Sequence, residues 1–139
     1  MQHDPQLSIL KAFLAALSTP VLQVDSSIVK VFTSVPKAEK HYVLLSQLTQ
    51  AETGTGSCKQ YDCTLLVTVA MENEVNRVSE VPAYVISDQI FQRVAGKRLV
   101  LENGLQMSPI EIGLTSTLQE HNDTTVDVLR YIRLKFSVY

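Results

Sequence analysis

The 139-residue chain has no tryptophan, only four phenylalanines and five tyrosines, and only two cysteines. Cys58 and Cys63 cannot build a disulfide framework, and their spacing matches neither C-x-x-C nor a four-ligand zinc site. They are expected as free thiols in a reducing compartment, with one small local disulfide as the alternative. Glycine and proline, five of each, are too few for a fibrous or low-complexity chain. No apolar run approaches the ~18 to 20 residues of a membrane span. The opening Met1-Gln2-His3-Asp4-Pro5 lacks the basic and apolar regions of a signal peptide, so the chain is expected to stay in the compartment of its synthesis, without a membrane partner. No charge of one sign dominates. Twelve basic residues against fourteen acidic ones give a net charge of -2, so no global positive field draws nucleic acid by counterion release.

Catalytic motifs are also missing. Gly54-Thr55-Gly56-Ser57-Cys58-Lys59 looks superficially like a phosphate loop, but Gly-Lys-Ser/Thr is absent and a strand follows where a helix N-terminus is needed. His3, His41 and His121 lie far apart in tail, turn and loop sequence, with no spacing that pairs one with a nucleophile. Glu72, Glu74 and Glu80, and Glu120 with Asp123, lack the ordered spacing of a calcium loop and read as solvated charges. No catalytic residue, metal or cofactor is assigned, and the chain is expected not to be an enzyme.

What the chain does contain is an ordinary globular balance, 45% hydrophobic and 19% charged, at a length that suits one domain over residues 1–139. Asp4-Pro5 provides an N-cap and a first-turn proline. Leu7, Leu10, Leu14 and Leu17, widened by Ile9 and Phe13, then mark one apolar helix face that ends at Pro20. Residues 21–27 read as a connector, and Ile28 to Phe32 as a short strand. The organising feature is Tyr42 to Met71: two strands rich in β-branched and aromatic residues, Tyr42 to Thr49 and Tyr61 to Met71, around a polar loop from Gln50 to Gln60.

Beyond a charged link, Pro82 starts a second helix with Ala83, Ile86, Ile90 and Val94 on one stripe, and Gly96 sits at its C-cap position. Leu99 to Leu101 is read as a brief edge strand and Ile110 to Ser116 as a half-buried strand. Gln119 to Thr125 is read as an exposed loop. The final strand places Ile132, Leu134, Phe136 and Val138 on one face, with Tyr131, Arg133, Lys135, Ser137 and Tyr139 on the other. The expected fold class is α+β: a one-sided, mainly antiparallel sheet of four to five strands, two helices packed on one face, and a protruding β-hairpin. Its outer face is expected to be polar with scattered aromatics.

The order of these elements carries a resemblance: amphipathic helix, Val31-Phe32-Thr33-Ser34-Val35-Pro36, the Tyr42-Val43-Leu44-Leu45 strand, polar hairpin, long strand, Pro82 to Ala95 helix and terminal strand pair. It resembles the tail-terminator or tail-completion proteins of long-tailed bacteriophages over nearly the whole chain, departing at Leu99 to Met107. The resemblance implies a virion subunit that forms a six-membered ring, caps the tail tube, stops its polymerisation and offers the head connector a joining surface. Its implied partners are copies of itself, the tail-tube protein and the head-tail connector, with DNA passing through the lumen without sequence-specific binding.

By position alone, Glu52, Thr53, Gly54, Gly56 and Lys59 of the hairpin and Glu72, Glu74 and Arg77 of the link are candidate assembly contacts. Another neck or tail component, a head-closure protein or a tube subunit, is the alternative within the same class. A small α+β enzyme or ligand-binding domain is the alternative outside it, and a pocket joining His41 or His121 to a carboxylate is the feature that points there.

Overall fold

The computed structural model describes residues 4–54 and 59–139. Its elements run α1 (Pro5–Ser18), β1 (Leu22–Val24), β2 (Ser27–Phe32), β3 (His41–Glu52), β4 (Tyr61–Glu74), α2 (Val81–Val94), β5 (Glu111–His121) and β6 (Thr125–Val138).

The first helix starts as its sequence dictates. The Asp4 side chain accepts from the Gln6 N–H at 3.0 Å, and Pro5 occupies the first turn, where its missing N–H costs nothing. Its buried stripe is narrower than the leucine spacing suggested. Ile9, Phe13 and Leu17 are fully buried, whereas Leu7 is 63% exposed. The second helix buries Ala83, Ile86, Ile90 and Val94, and Gly96 beyond its end adopts φ +71, the left-handed conformation that glycine reaches without strain. Both helices pack on the same face of the sheet. They are joined by Arg93, which donates to the Leu17 carbonyl at 2.9 Å and to the Val21 carbonyl at 3.3 Å. Its guanidinium pKa is lowered because these contacts hold it partly out of water.

The sheet corrects the predicted architecture. It has six strands in the order β1-β2-β3-β4-β6-β5, and it is mixed, because β2 lies parallel to β3. The stretch read as a connector folds into β1 and a hairpin turn at Asp25 and Ser26, both with positive φ (49° and 69°). That is the backbone of a two-residue hairpin, reached here without the Asn-Gly pair that normally signals it. The parallel pairing spans only Lys30–Phe32 against Tyr42–Leu44. With so short an overlap, the chain can return through residues 33–40 without a crossover helix. Leu99 to Leu101 is not a strand; its Leu99 and Leu101 pack against the core, and Met107 makes the isolated bridge to Val138 instead. The predicted loop from Gln119 is still strand as far as His121, and the turn is confined to residues 122–124.

The hairpin also projects less than expected. Glu52 pairs with Tyr61, and Tyr61 still pairs with Val138 of β6, so both described limbs stay within the sheet. Gly56 and Cys58 lie outside the described residues.

The core lies between helices and sheet. Val43 and Leu45 from β3, Leu65, Val67 and Val69 from β4, and Val128, Ile132 and Leu134 from β6 meet Ile9, Phe13, Ile86 and Ile90. Phe13 stacks at 5.4 Å centroid separation on Phe136, whose face the alternation of β6 assigns correctly. Phe13→Ala should therefore lower unfolding free energy by about 3–5 kcal/mol. Leu7→Ala, at the position that sequence spacing also placed on the stripe, should stay within about 0.5 kcal/mol. Urea denaturation of the two variants checks both values.

Candidate functional site

The positions proposed for assembly fall into two groups at opposite ends of β4. Its 14 residues make these ends roughly 40 Å apart, at about 3.3 Å per residue.

At one end, the base of the hairpin is closed by a backbone bond from the Thr53 N–H to the Gln60 carbonyl at 2.8 Å. Lys59 and Glu52 form an ion pair across it, which raises the Lys59 pKa. These two charges thus have each other as partners within the subunit. Gly54 follows β3, and the next element among the described residues is the strand β4 and not the helix that a phosphate loop requires.

At the other end, Glu72, Glu74 and Arg77 line a cleft of about 290 Å³ with His41, Asp25 and Ser27. The link is braced by its backbone: the Glu72 N–H donates to the Lys40 carbonyl at 3.1 Å, and the Arg77 N–H to the Glu74 carbonyl at 2.9 Å. Here a histidine does stand beside carboxylates, the feature that pointed to an enzyme. His41 Nδ1 is buried without a hydrogen-bond partner, and among the described residues no bond joins it to Ser27, Glu72 or Glu74. A catalytic pair joins its base to the nucleophile by a hydrogen bond, and His41 Nδ1 makes none among the described residues. His121 is exposed at the end of β5, and His3 lies outside the described residues.

Cys63 is a free thiol buried in the core, and burial pushes its pKa up to about 11. The local disulfide weighed for it involves Cys58 and so lies outside the described residues. Among the described residues, no group of three His, Cys, Asp or Glu side chains is arranged to hold a metal ion, and no helix is long and apolar enough to cross a membrane.

Strand register reveals a surface that composition could not. On the face turned away from the helices, Glu72, Asp127 and Glu120 form one cross-strand row over β4, β6 and β5. Next come Tyr42, Ala70, Leu129 and Leu118, then Leu44, Thr68, Tyr131 and Ser116. Arg133 beside Leu66 and Lys135 beside Thr64 follow towards the hairpin, with Arg133 donating to Gln47 at 3.2 Å and Lys135 opposite Glu111, and Asp62 with Ser137 forms the last row. The expected polar face is therefore apolar in its middle, acidic at one end and of mixed charge towards the other. Thr68 and Ala70 are only 7% and 4% exposed there, although among the described residues no second layer covers them; their large neighbours do. Tyr42 feels the acidic row. Burial raises its pKa first, and Asp127 and then Glu120 add to the effect.

Arg130 lies on the helix side instead, its guanidinium 5.1 Å from the centre of the Tyr84 ring and donating to Thr117 at 3.2 Å. Neither the acidic row nor the Arg130 contact was named from sequence. The strand alternation around Asp127 was legible, but the register that sets it beside Glu72 and Glu120 was not.

The raised Cys63 pKa has a sign that can be checked. Between the ordinary value of 9.0 and about 11, the unfolded thiol ionises first, so stability is full below pH 9 and falls as pH rises towards 11. Cys63→Ala should flatten that part of the stability profile, as chemical denaturation at pH 8 to 11 would reveal.

No protein-family model and no curated protein matches the chain. Among solved structures, a chain of the "Virion of native gene transfer agent (GTA) particle" shares the fold with a TM-score of 0.67. The likeness covers 98% of this chain and 99% of that one, at 13% sequence identity.

Proposed function

We propose that this chain is a non-enzymatic structural protein of a virion. More specifically, it is a subunit of a ring that caps a phage tail tube, terminates its polymerisation and presents the joining surface to the head connector. The observation that carries the reading is the fold it shares, end to end, with a chain of a gene transfer agent virion particle. Its partners on this reading are copies of itself in a hexameric ring, the tail-tube protein and the connector. DNA passes through without sequence-specific contact, and the protein resides in the tail or neck of the virion after assembly in the host cytoplasm.

The geometry supports a role in assembly. The hairpin and the Glu72–Arg77 link lie at opposite ends of one long strand, so a single subunit can contact different neighbours above and below. The acidic row of Glu72, Asp127 and Glu120 suits a component past which phosphates slide, because a strongly basic wall would retain them.

The test is genetic and structural. Removing the gene should yield tails of uncontrolled length that fail to join heads, and electron microscopy of intact particles should find one ring of this chain at the head-proximal end of the tail. Many copies along the tube would reassign it as a tube subunit, and particles of normal form without it would end the proposal. Deleting Thr53 to Ser57 should leave a folded subunit that assembles poorly, with unchanged ring yield removing the hairpin from the interface.

A further inference from the structure

The two borders of the sheet are treated differently. On one border, β1 is sealed by a side chain: the Gln23 N–H donates to Gln89 Oε1 at 3.2 Å, and Gln89 Nε2 donates to the Gln23 carbonyl at 2.6 Å. The Gln89 amide from α2 thus stands where an adjacent strand would be. Folded proteins commonly block edge strands in this way, or with lysine, proline or inward charge, because unpaired backbone groups recruit other chains.

On the other border, β5 carries no such protection. It is 11 residues long, and Ile112 to Gln119 contains no charge and no proline. Among the described residues, its outward N–H and C=O groups have no partner in any other segment. Leu114 and Leu118 on it are 79% and 55% exposed. A bulge displaces Gly113 and Leu114 near its start, where a Cβ on Gly113 would stand 3.1 Å from the Arg133 carbonyl, and leaves Thr115 to His121 as a regular paired run.

The same chain supplies a strand to complete this edge. Beyond Leu44, where its pairing with β2 ends, β3 continues to Glu52 with only β4 beside it. Its final stretch, Thr49 to Glu52, is exposed throughout. In the order β3-β4-β6-β5 every neighbouring pair is antiparallel, so β3 and β5 run in opposite directions and bound the four strands on opposite sides. A copy placed next in line therefore brings its β3 antiparallel to β5, the pairing whose hydrogen bonds run perpendicular to the strands and which is slightly the more stable per residue.

We propose that β5 of one subunit takes up the Thr49–Glu52 limb of β3 from a second copy, by edge-to-edge strand addition. The contact joins two different surfaces, so it repeats head to tail and closes into a ring where the rotation per subunit allows. Because β2 occupies the upper part of β3, the second copy sits shifted along the strands, the stagger that a closing sheet requires. This names the interface of the ring proposed above and rests on that reading.

Two experiments decide it. Native mass spectrometry should find a ring for the unaltered chain and monomers for the Leu114→Lys, Leu118→Lys double variant at the same concentration, with unchanged thermal unfolding by circular dichroism. In a Cys58→Ser background, a mixture of Ser116→Cys and Ala51→Cys subunits, whose new thiols share the outer face of the sheet, should form disulfide-linked dimers under mild oxidation, while either alone forms none. The cross-link stands even where the lysine variant fails to fold. An unaltered ring from the lysine variant, or Ser116→Cys subunits linking to each other, overturns the β5 to β3 contact and leaves the ring standing. An unaltered chain that stays monomeric overturns both.

Discussion

The antiparallel ladder between β4 and β6 is the constraint on which the other parts depend. Every residue from Tyr61 to Glu74 has a partner in β6, so each strand is fixed along its full length by the other. A slip of one residue would carry Val67 and Val69 to the outside and bring Thr68 and Ala70 against the helices, because side chains alternate between faces. Such a slip would strip the core of its central valines and bury a threonine hydroxyl against α2. The helices thus sit on a surface whose register is held by burial, and they need contribute only one apolar stripe each.

The ends of this ladder set what the molecule can present to others. Glu72 and Asp127 are adjacent because the register places them so, and β5 adds Glu120 to the same row. Like charges directly opposed in a sheet are mildly destabilising. The arrangement costs the isolated subunit a little and marks one end of the outer face with negative potential. In the middle of that face, the half-buried Tyr42, Leu44, Leu129 and Tyr131 flank Thr68 and Ala70, which are buried although among the described residues no second helical layer lies over them.

Much of the fold was legible in the sequence where a signal was local. Asp4-Pro5, the Ala83-Ile86-Ile90-Val94 stripe and the alternation of β6 each depend on residues within a few positions, and each appears as read. The parallel pairing of β2 with β3 was not legible, since it needs knowledge of where residues 33–40 return the chain. The β1 hairpin was hidden because Asp25 and Ser26 adopt positive φ at a turn that glycine or asparagine usually announces. For the candidate surfaces, positions were readable but partners were not. Glu52 and Lys59 were correctly placed on the hairpin, yet their mutual ion pair, like the meeting of His41 with Glu72 and Glu74, follows only from strands laid side by side.

The fastening of the N-terminal segment has a consequence for how the chain is made. Arg93 reaches back 76 residues to Leu17 and 72 to Val21, Gln89 reaches 66 to Gln23, and the Glu102 N–H donates to Ser8 across 94. A ribosome releases residues one after another, so α1 and β1 emerge long before the groups that hold them. Until β6, which follows α2 and β5 in the chain, has left the exit tunnel, Phe13 has no Phe136 to pack against. Its apolar side chain and that of Leu17 then face solvent and whatever chaperone meets a nascent chain. Translation speed through the second half of the message therefore sets how long this sticky opening segment must wait for its anchor.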